Sequence, residues 1–270
     1  MNHESGQLKV LWEIYFRDTL GRKNWQQAVE RRMRDGLSWL VHRLEAFVTV
    51  EGLRILDVGC GAGDLLVALE TEQSARFLAG IEPDTDWAQE AHRRVDRNST
   101  AVYVAEGERL PFPDNTFDGV CSNQVIEHVR DPEAVLSEML RVCVPGGWCY
   151  INGPNYLIPY ETHYRVPLLP WLPRQLAEWW LARIGRDPTY FRCCIRFIHP
   201  VIVRRILRRL DVLSEVNVLQ QSIAQPELLA SEKARKVAAW VKWLPLPSWL
   251  VYLLLPTFSM IVWKPKYGDS

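Results

Sequence analysis

Two groups of side chains in this sequence have the types and spacing to do chemistry. The first lies in LRILDVGCGAGDLLVALE, where an apolar run reaches Asp57 and then Gly59, Cys60, Gly61 and Gly63 before a helical pattern begins. Glycines so placed let the chain turn sharply and bring backbone N–H groups against a ligand, and the start of the following helix favours a negative group. The spacing is G-x-G-x-G, and Asp64 stands where a dinucleotide fingerprint wants its third glycine, which disfavours a pyrophosphate. Asp57 repels phosphate but suits an ammonium or sulfonium group. Glu82, followed by Pro83, ends the next apolar run 23 positions after Gly59 and can accept both ribose hydroxyls of a nucleoside. Glu106 and Glu108 end a third run, and these carboxylates are expected at the carboxyl edge of a sheet, where open α/β folds bind ligands.

The second group is Glu161, His163 and Tyr164, in the segment that leaves the fifth run at Gly153-Pro154-Asn155. A histidine of ordinary pKa, about 6.5, can accept a hydroxyl proton at neutral pH, and Glu161 can fix its tautomer. His163 is therefore expected as base or substrate orienter with Glu161 and Tyr164 as partners. The alternative is a hydrogen-bonded cluster that ties down a proline-rich loop.

The elements that must position these groups are legible as periodicity. RILDVG, FLAGIE, AVYVAE, FDGVCSN and WCYING are short apolar runs, and between them Asp64–Glu70, Thr85–Val95 and Asp131–Arg141 read as helices. Repeated βα units of this kind predict an α/β fold with a doubly wound, mostly parallel sheet. Residues 1–50 are expected to form an amphipathic helical lid or packing segment, with Trp25, Val29, Met33, Leu37, Leu40, Val41 and Leu44 on its apolar face. Residues 51–155 form the ligand-binding core. Residues 156–254 are acceptor-side helical insertions carrying a basic helix (PVIVRRILRRL) and a sixth strand near DVLSEVNVL, and residues 255–270 hold a closing strand and tail. Trp243 to Trp263 is uncharged over 21 positions, but Pro245, Pro247 and Pro256 break it into pieces too short to span a bilayer.

Composition narrows the classes. The 32 basic and 32 acidic residues balance, which favours neither nucleic acid nor an acidic tail, and no nucleic-acid partner is expected. Six cysteines without a C-x-x-C pair or metal-ligand spacing, and an N-terminus without an export signal, predict reduced thiols, no metal and a cytoplasmic location.

LDVGCGAG, IEPD, EGERLPFPDNTFD and NQVIEHVRDPEAVLSEMLRVCVPGG, in this order, resemble class I S-adenosylmethionine-dependent methyltransferases of the ubiquinone- and menaquinone-biosynthesis branch. The resemblance implies a Rossmann-like seven-stranded sheet with a reversed last strand, N-terminal helices, and helical insertions after strand 5 and before strand 7. It implies S-adenosylmethionine as methyl donor, with Asp57, Gly59, Cys60, Gly61 and Gly63 around the methionine moiety. Glu82 and Pro83 would be at the ribose, Glu106, Gly107 and Glu108 along the adenine, and Asn123 beside the reactive centre. Because the Glu127-His128 pair recurs in members with different acceptors, it is expected to be structural. The run P-N-x-x-x-P-x-E-x-H-Y is similar to methyltransferases of bacterial surface-polysaccharide pathways.

Between Arg165 and Leu210 the chain has ten arginines, no lysine and only Glu178 and Asp187 against them, beside Trp171, Trp179 and Trp180. Indole, aliphatic and guanidinium groups together suit a membrane interface, and arginine suits phosphate. The expected reaction is O-directed methyl transfer to a small-molecule, lipid-linked or glycan acceptor, with residues 165–210 and 236–254 against an anionic membrane surface and the protein peripheral at the inner face. A quinone-type or other hydrophobic acceptor is the alternative; an ordinary lid with a solvated arginine face, and a non-catalytic binding protein of the same fold, are the others.

Overall fold

A computed structural model describes residues 37–72, 75–96, 98–168, 172–218 and 255–266, with a few isolated positions beyond these ranges. Helix α1 (Ser38–Glu45) leads into β1 (Leu53–Val58), α2 (Asp64–Thr71), β2 (Ala75–Ile81), α3 (Thr85–Arg94), β3 (Thr100–Tyr103), β4 (Phe117–Asn123), α4 (Pro132–Val142) and β5 (Cys143–Pro154). A two-stranded ribbon, β6 (Tyr160–Glu161) with β7 (Val166–Pro167), precedes α5 (Arg174–Arg183), α6 (Thr189–Cys194) and α7 (Pro200–Arg209). Strands β8 (Glu215–Asn217) and β9 (Thr257–Trp263) complete a seven-stranded sheet of order β3-β2-β1-β4-β5-β9-β8.

The five runs read from the sequence are the five parallel strands, and β9 lies antiparallel to both its neighbours. The expected fold class, a doubly wound sheet with a reversed last strand, is the one observed. Strands β1 and β4 are central and covered on both faces, and residues 55–58 and 119–122 are buried without alternation. One face packs Leu56, Val58, Phe117, Val120, Ile151 and Phe258 under α4, α5 and α7, and the other packs Ile55, Leu65, Leu69, Tyr150 and Ile261 with α1 and α2.

Helix starts follow local chemistry. Asp84 accepts from the N–H groups of Asp86 and Trp87 to open α3, and Asp131 accepts from Glu133 and Ala134 to open α4, whose first residue is Pro132. Leu40, Val41 and Leu44 of the expected N-terminal helix are fully buried in α1. Trp25, Val29 and Met33 lie outside the described residues, as do Trp171 and most of 219–254. No helix among the described residues is long and apolar enough to cross a membrane. The uncharged stretch ending at Trp263 instead supplies β9 inside the sheet.

Candidate active site

Five carboxyl ends of parallel strands meet at one edge, and the glycine turn after β1 is built there from backbone bonds. The N–H groups of Gly59 and Cys60 both donate to the Ile81 carbonyl at 2.9 Å, which anchors the turn to the end of β2. Gly59, Gly61 and Gly63 all have left-handed φ, at 73°, 53° and 78°. A Cβ at Gly59 would stand 2.5 Å from Val125 Cγ2, so glycine lets this turn lie against the segment after β4. A Cβ at Gly61 would meet nothing within 4 Å; that position faces open space.

Glu82 borders the same space. Its Oε2 accepts from Gly61 N at 2.9 Å and its Oε1 from Asp84 N at 3.1 Å. Burial raises its pKa against the pull of these two bonds. Each carboxylate oxygen keeps a lone pair for a further donor, the requirement for a vicinal diol. Asp57 is buried beneath the turn, and Pro83 is exposed beyond Glu82. The Cys60 thiol is buried, and desolvation together with Asp57 and Glu82 pushes its pKa far up, so it is an inert wall of the turn. Asp64 binds Arg94 of α3 at 2.6 Å and holds two helices together.

The third carboxylate pair divides. Glu108 Oε1 accepts from Arg130 N at 2.8 Å, so Glu108 shapes the loop before α4. Glu106 is exposed and pairs with Arg130 Nη2 at 2.9 Å. Gly107 is buried, and a Cβ there would lie 3.2 Å from Val58. Asn123 Oδ1 is buried without a hydrogen-bond partner among the described residues, at the end of β4. Open space at Gly61, a bordering carboxylate and an orphaned amide oxygen fit a nucleoside-bearing cation better than a pyrophosphate.

A second cluster begins where β4 ends. Gln124 has a left-handed φ of 61°, and both its N–H and its side-chain amide bond to Asn152 of β5. This turn carries Val125 against the glycine loop and buries Ile126 and Glu127. From β5 the chain runs through Tyr156 into the β6–β7 ribbon, which folds Glu161 and His163 back over the same region. Glu161 Oε1 accepts from Tyr156 OH at 2.7 Å and pairs with His163 Nδ1 at 2.8 Å, and its Oε2 accepts the Tyr164 N–H. His163 Nε2 and His128 Nε2 each lie 3.7 Å from Glu127 Oε1, too far for a hydrogen bond. His128 Nδ1 bonds to the Cys194 carbonyl at 2.6 Å, and the Tyr190 hydroxyl stands 3.5 Å from His128 Nε2.

Burial works against a charge on His163, but Glu127 and Glu161 outweigh it and push its pKa up to about 9. At neutral pH the ring holds its proton and donates to an oxygen, instead of accepting a hydroxyl proton as an unperturbed histidine would. The Tyr164 hydroxyl is occupied elsewhere: it donates to Asp187 O at 2.7 Å and accepts from Phe191 N at 3.1 Å. Its link to the cluster is its backbone N–H. Glu127 and His128, read from the sequence as separate from His163, lie in the same cluster. Tyr156 and Tyr190 were not singled out in the sequence at all, because an aromatic residue in an irregular segment carries no period to mark it.

Residues 56–151 match a family described as a methyltransferase domain. That stretch, about a third of the chain, is similar to methyltransferase domains. A curated relative, an uncharacterised methyltransferase of Schizosaccharomyces pombe, is 40% identical over 127 residues, 43% of this chain and 46% of that protein. The ubiquinone/menaquinone biosynthesis C-methyltransferase UbiE of Desulfotalea psychrophila is 28% identical over 129 residues, 46% of this chain and 52% of its own. The chain spans about half the length of the curated relatives it matches. An S-adenosylmethionine-dependent methyltransferase from Mesorhizobium loti superposes with a TM-score of 0.55 at 16% identity, over 85% of this chain and 99% of that one, which is a likeness of fold. The matched stretch ends within β5, and the second cluster includes residues beyond it.

Some arginines of the insertion are engaged by the fold. Arg174 Nη2 donates to the carbonyls of Phe191, Arg192 and Ile195, Arg192 pairs with Glu178 at 2.9 Å, and Arg209 pairs with Glu133 at 3.0 Å. Helix α5 nevertheless leaves Leu176, Trp179 and Trp180 exposed, Trp179 to 63%.

Proposed function

We propose that this protein transfers a methyl group from S-adenosylmethionine to an oxygen of a hydrophobic, lipid-linked or glycan acceptor. The observation that carries the donor side is the Gly61 N–H bonded to Glu82 beside open space, with Asp57 buried at the end of β1. S-adenosylmethionine supplies an electrophilic methyl group on a cationic sulfur. Asp57 and Asn123 favour the cation, and Glu82 accepts the ribose hydroxyls. The adenine lies along Gly107, with Glu106 at its rim.

On the acceptor side the chain chiefly has to align an oxygen and exclude water, and orientation alone contributes on the order of 7–11 kcal/mol. The nearness of the second cluster to the donor turn supports this role, because Val125 packs on Gly59 and Glu127 lies two residues further on. Glu161, fixed by Tyr156 and the Tyr164 N–H, orients His163, whose Nε2 faces the cluster. His163 and Glu161 position the acceptor oxygen. Helix α5, with Leu176, Trp179 and Trp180 outward, brings the protein to the inner face of an anionic membrane, where such an acceptor is delivered. A quinone-type acceptor is the second reading, favoured by the likeness to UbiE.

Purified protein incubated with methyl-labelled S-adenosylmethionine and separated cell fractions tests the acceptor. Label in the lipid-soluble or polysaccharide pool supports the reading. Label confined to protein or nucleic acid overturns it.

A further inference from the structure

Among the described residues, Glu127, His128 and His163 bring three ligand atoms of metal-binding type within 4.8 Å of one another. We propose that these three side chains bind a divalent transition-metal ion of the zinc class, with an open coordination position facing the acceptor. No metal-ligand spacing is visible in the sequence, because the ligands come from two loops that only the fold brings together.

Three independent observations converge on this site. The first is spacing: ligands about 2.1 Å from a zinc ion stand about 3.4 Å apart at the tetrahedral angle. Both imidazole Nε2 atoms are 3.7 Å from the same Glu127 oxygen, so these two gaps must close by a few tenths of an ångström, and all three ligand atoms lie within 4.8 Å of one another. The second is the state of the far ring nitrogens. His128 Nδ1 is held by the Cys194 carbonyl at 2.6 Å and His163 Nδ1 by Glu161 at 2.8 Å. A carbonyl or carboxylate only accepts, so each neutral ring keeps its hydrogen on Nδ1 and presents the Nε2 lone pair, the outer-shell arrangement of metal-bound histidines. The third is Glu127 itself, fully buried with neither carboxylate oxygen hydrogen-bonded. A buried polar group without a partner needs an explanation, and a cation between Glu127 and the two rings supplies one.

Charge points the same way. Glu127 and Glu161 bring two carboxylates into one buried space. A divalent ion held by Glu127 and the two ring nitrogens would balance both carboxylates. Two imidazoles and a carboxylate suit zinc, iron, cobalt or nickel better than calcium or magnesium, which take oxygen ligands. With only three protein ligands the ion keeps a position for an acceptor oxygen, as in sites that act on a ligand. The ion's role toward the acceptor rests on the methyltransferase reading; its binding does not.

The test is calorimetric titration of chelator-stripped full-length protein with Zn2+, and of the same protein with Co2+ followed by visible absorption. One ion per chain is expected. Glu127→Gln and His163→Gln are expected to weaken binding at least about 100-fold, and Glu161→Gln, which acts through His163, by about 10- to 100-fold. Because Glu127 and His163 are buried, His128→Asn at the partly exposed ligand is the second variant, with the same loss expected. Thermal stabilisation of every variant by S-adenosylhomocysteine reports fold and donor site separately. Wild-type protein that takes up no zinc, or variants that bind it as tightly as wild type, would overturn the site. Zinc uptake lost in the variants, in a wild-type protein that ignores S-adenosylhomocysteine, supports the metal site and overturns the methyltransferase reading instead.

Discussion

Glu82→Gln isolates the donor site, because the two backbone bonds to this side chain set both its stability cost and its binding cost. In the wild type, Gly61 N and Asp84 N each have a carboxylate oxygen to themselves. Glutamine offers one oxygen and one amide group, so one backbone N–H then faces another donor. Leaving a partly buried donor unpaired costs about 1–3 kcal/mol of stability. A hydrogen bond to a charged group contributes about 1.5–3 kcal/mol, and glutamine keeps at best one ribose hydroxyl as a donor to it. The net loss in nucleoside binding is therefore about 2–3 kcal/mol, or about 30- to 150-fold in Kd for S-adenosylhomocysteine. Calorimetry with S-adenosylhomocysteine and with its 2′-deoxy analogue separates the terms: the variant should lose affinity for the first and much less for the second. If Glu82→Gln binds S-adenosylhomocysteine within threefold of wild type, the assignment of this carboxylate to the ribose is wrong.

Gly59→Ala and Gly61→Ala should differ in kind. Both put a Cβ at a left-handed φ and should cost about 1–2 kcal/mol for that alone, read as a lower urea midpoint; the first adds a Cβ 2.5 Å from Val125 and should fall further, whereas the second meets no atom and should weaken S-adenosylhomocysteine binding at least tenfold. Asp118, half of a pair with Arg54 at 2.9 Å, has its pKa held below the ordinary carboxylate range by the Arg54 hydrogen bonds. A depressed carboxylate stabilises the fold above its unfolded pKa and loses that contribution as pH falls through the folded one. Asp118→Asn should therefore narrow its stability gap from wild type on acidification, measured by urea melts between pH 7 and pH 3. Trp179→Ala together with Leu176→Ala should reduce co-sedimentation with anionic vesicles and leave S-adenosylhomocysteine affinity unchanged, and equal sedimentation of the double variant would remove α5 from the membrane account.

What the sequence discloses depends on how local the cause is. The central strands β1, β4 and β5 are legible because a strand covered on both faces needs consecutive buried residues, whereas β3, at the sheet edge, is marked only by the short run Thr100–Tyr103. The donor turn is legible because left-handed φ at Gly59, Gly61 and Gly63 requires glycine and lies within five residues. Glu108 illustrates the limit: a carboxylate at a strand end can face ligand or backbone, and only the loop at Arg130 decides that it faces backbone. His163 illustrates a deeper one. Its neighbour Glu161 is readable two positions away, but Glu127 arrives from a different loop, and with it comes the field that reverses the proton preference of the ring. The arginine-rich insertion looks like a free cationic surface until Glu133, Glu178 and three carbonyls are seen to take up its guanidinium groups.

The central claim, a donor site for S-adenosylmethionine at the glycine turn, is tested most directly by comparing S-adenosylmethionine and NAD as calorimetric ligands of the wild-type protein. One equivalent of S-adenosylmethionine bound at micromolar or tighter Kd, with no heat from NAD, is the expected result. Binding of NAD, or of neither, would contradict it.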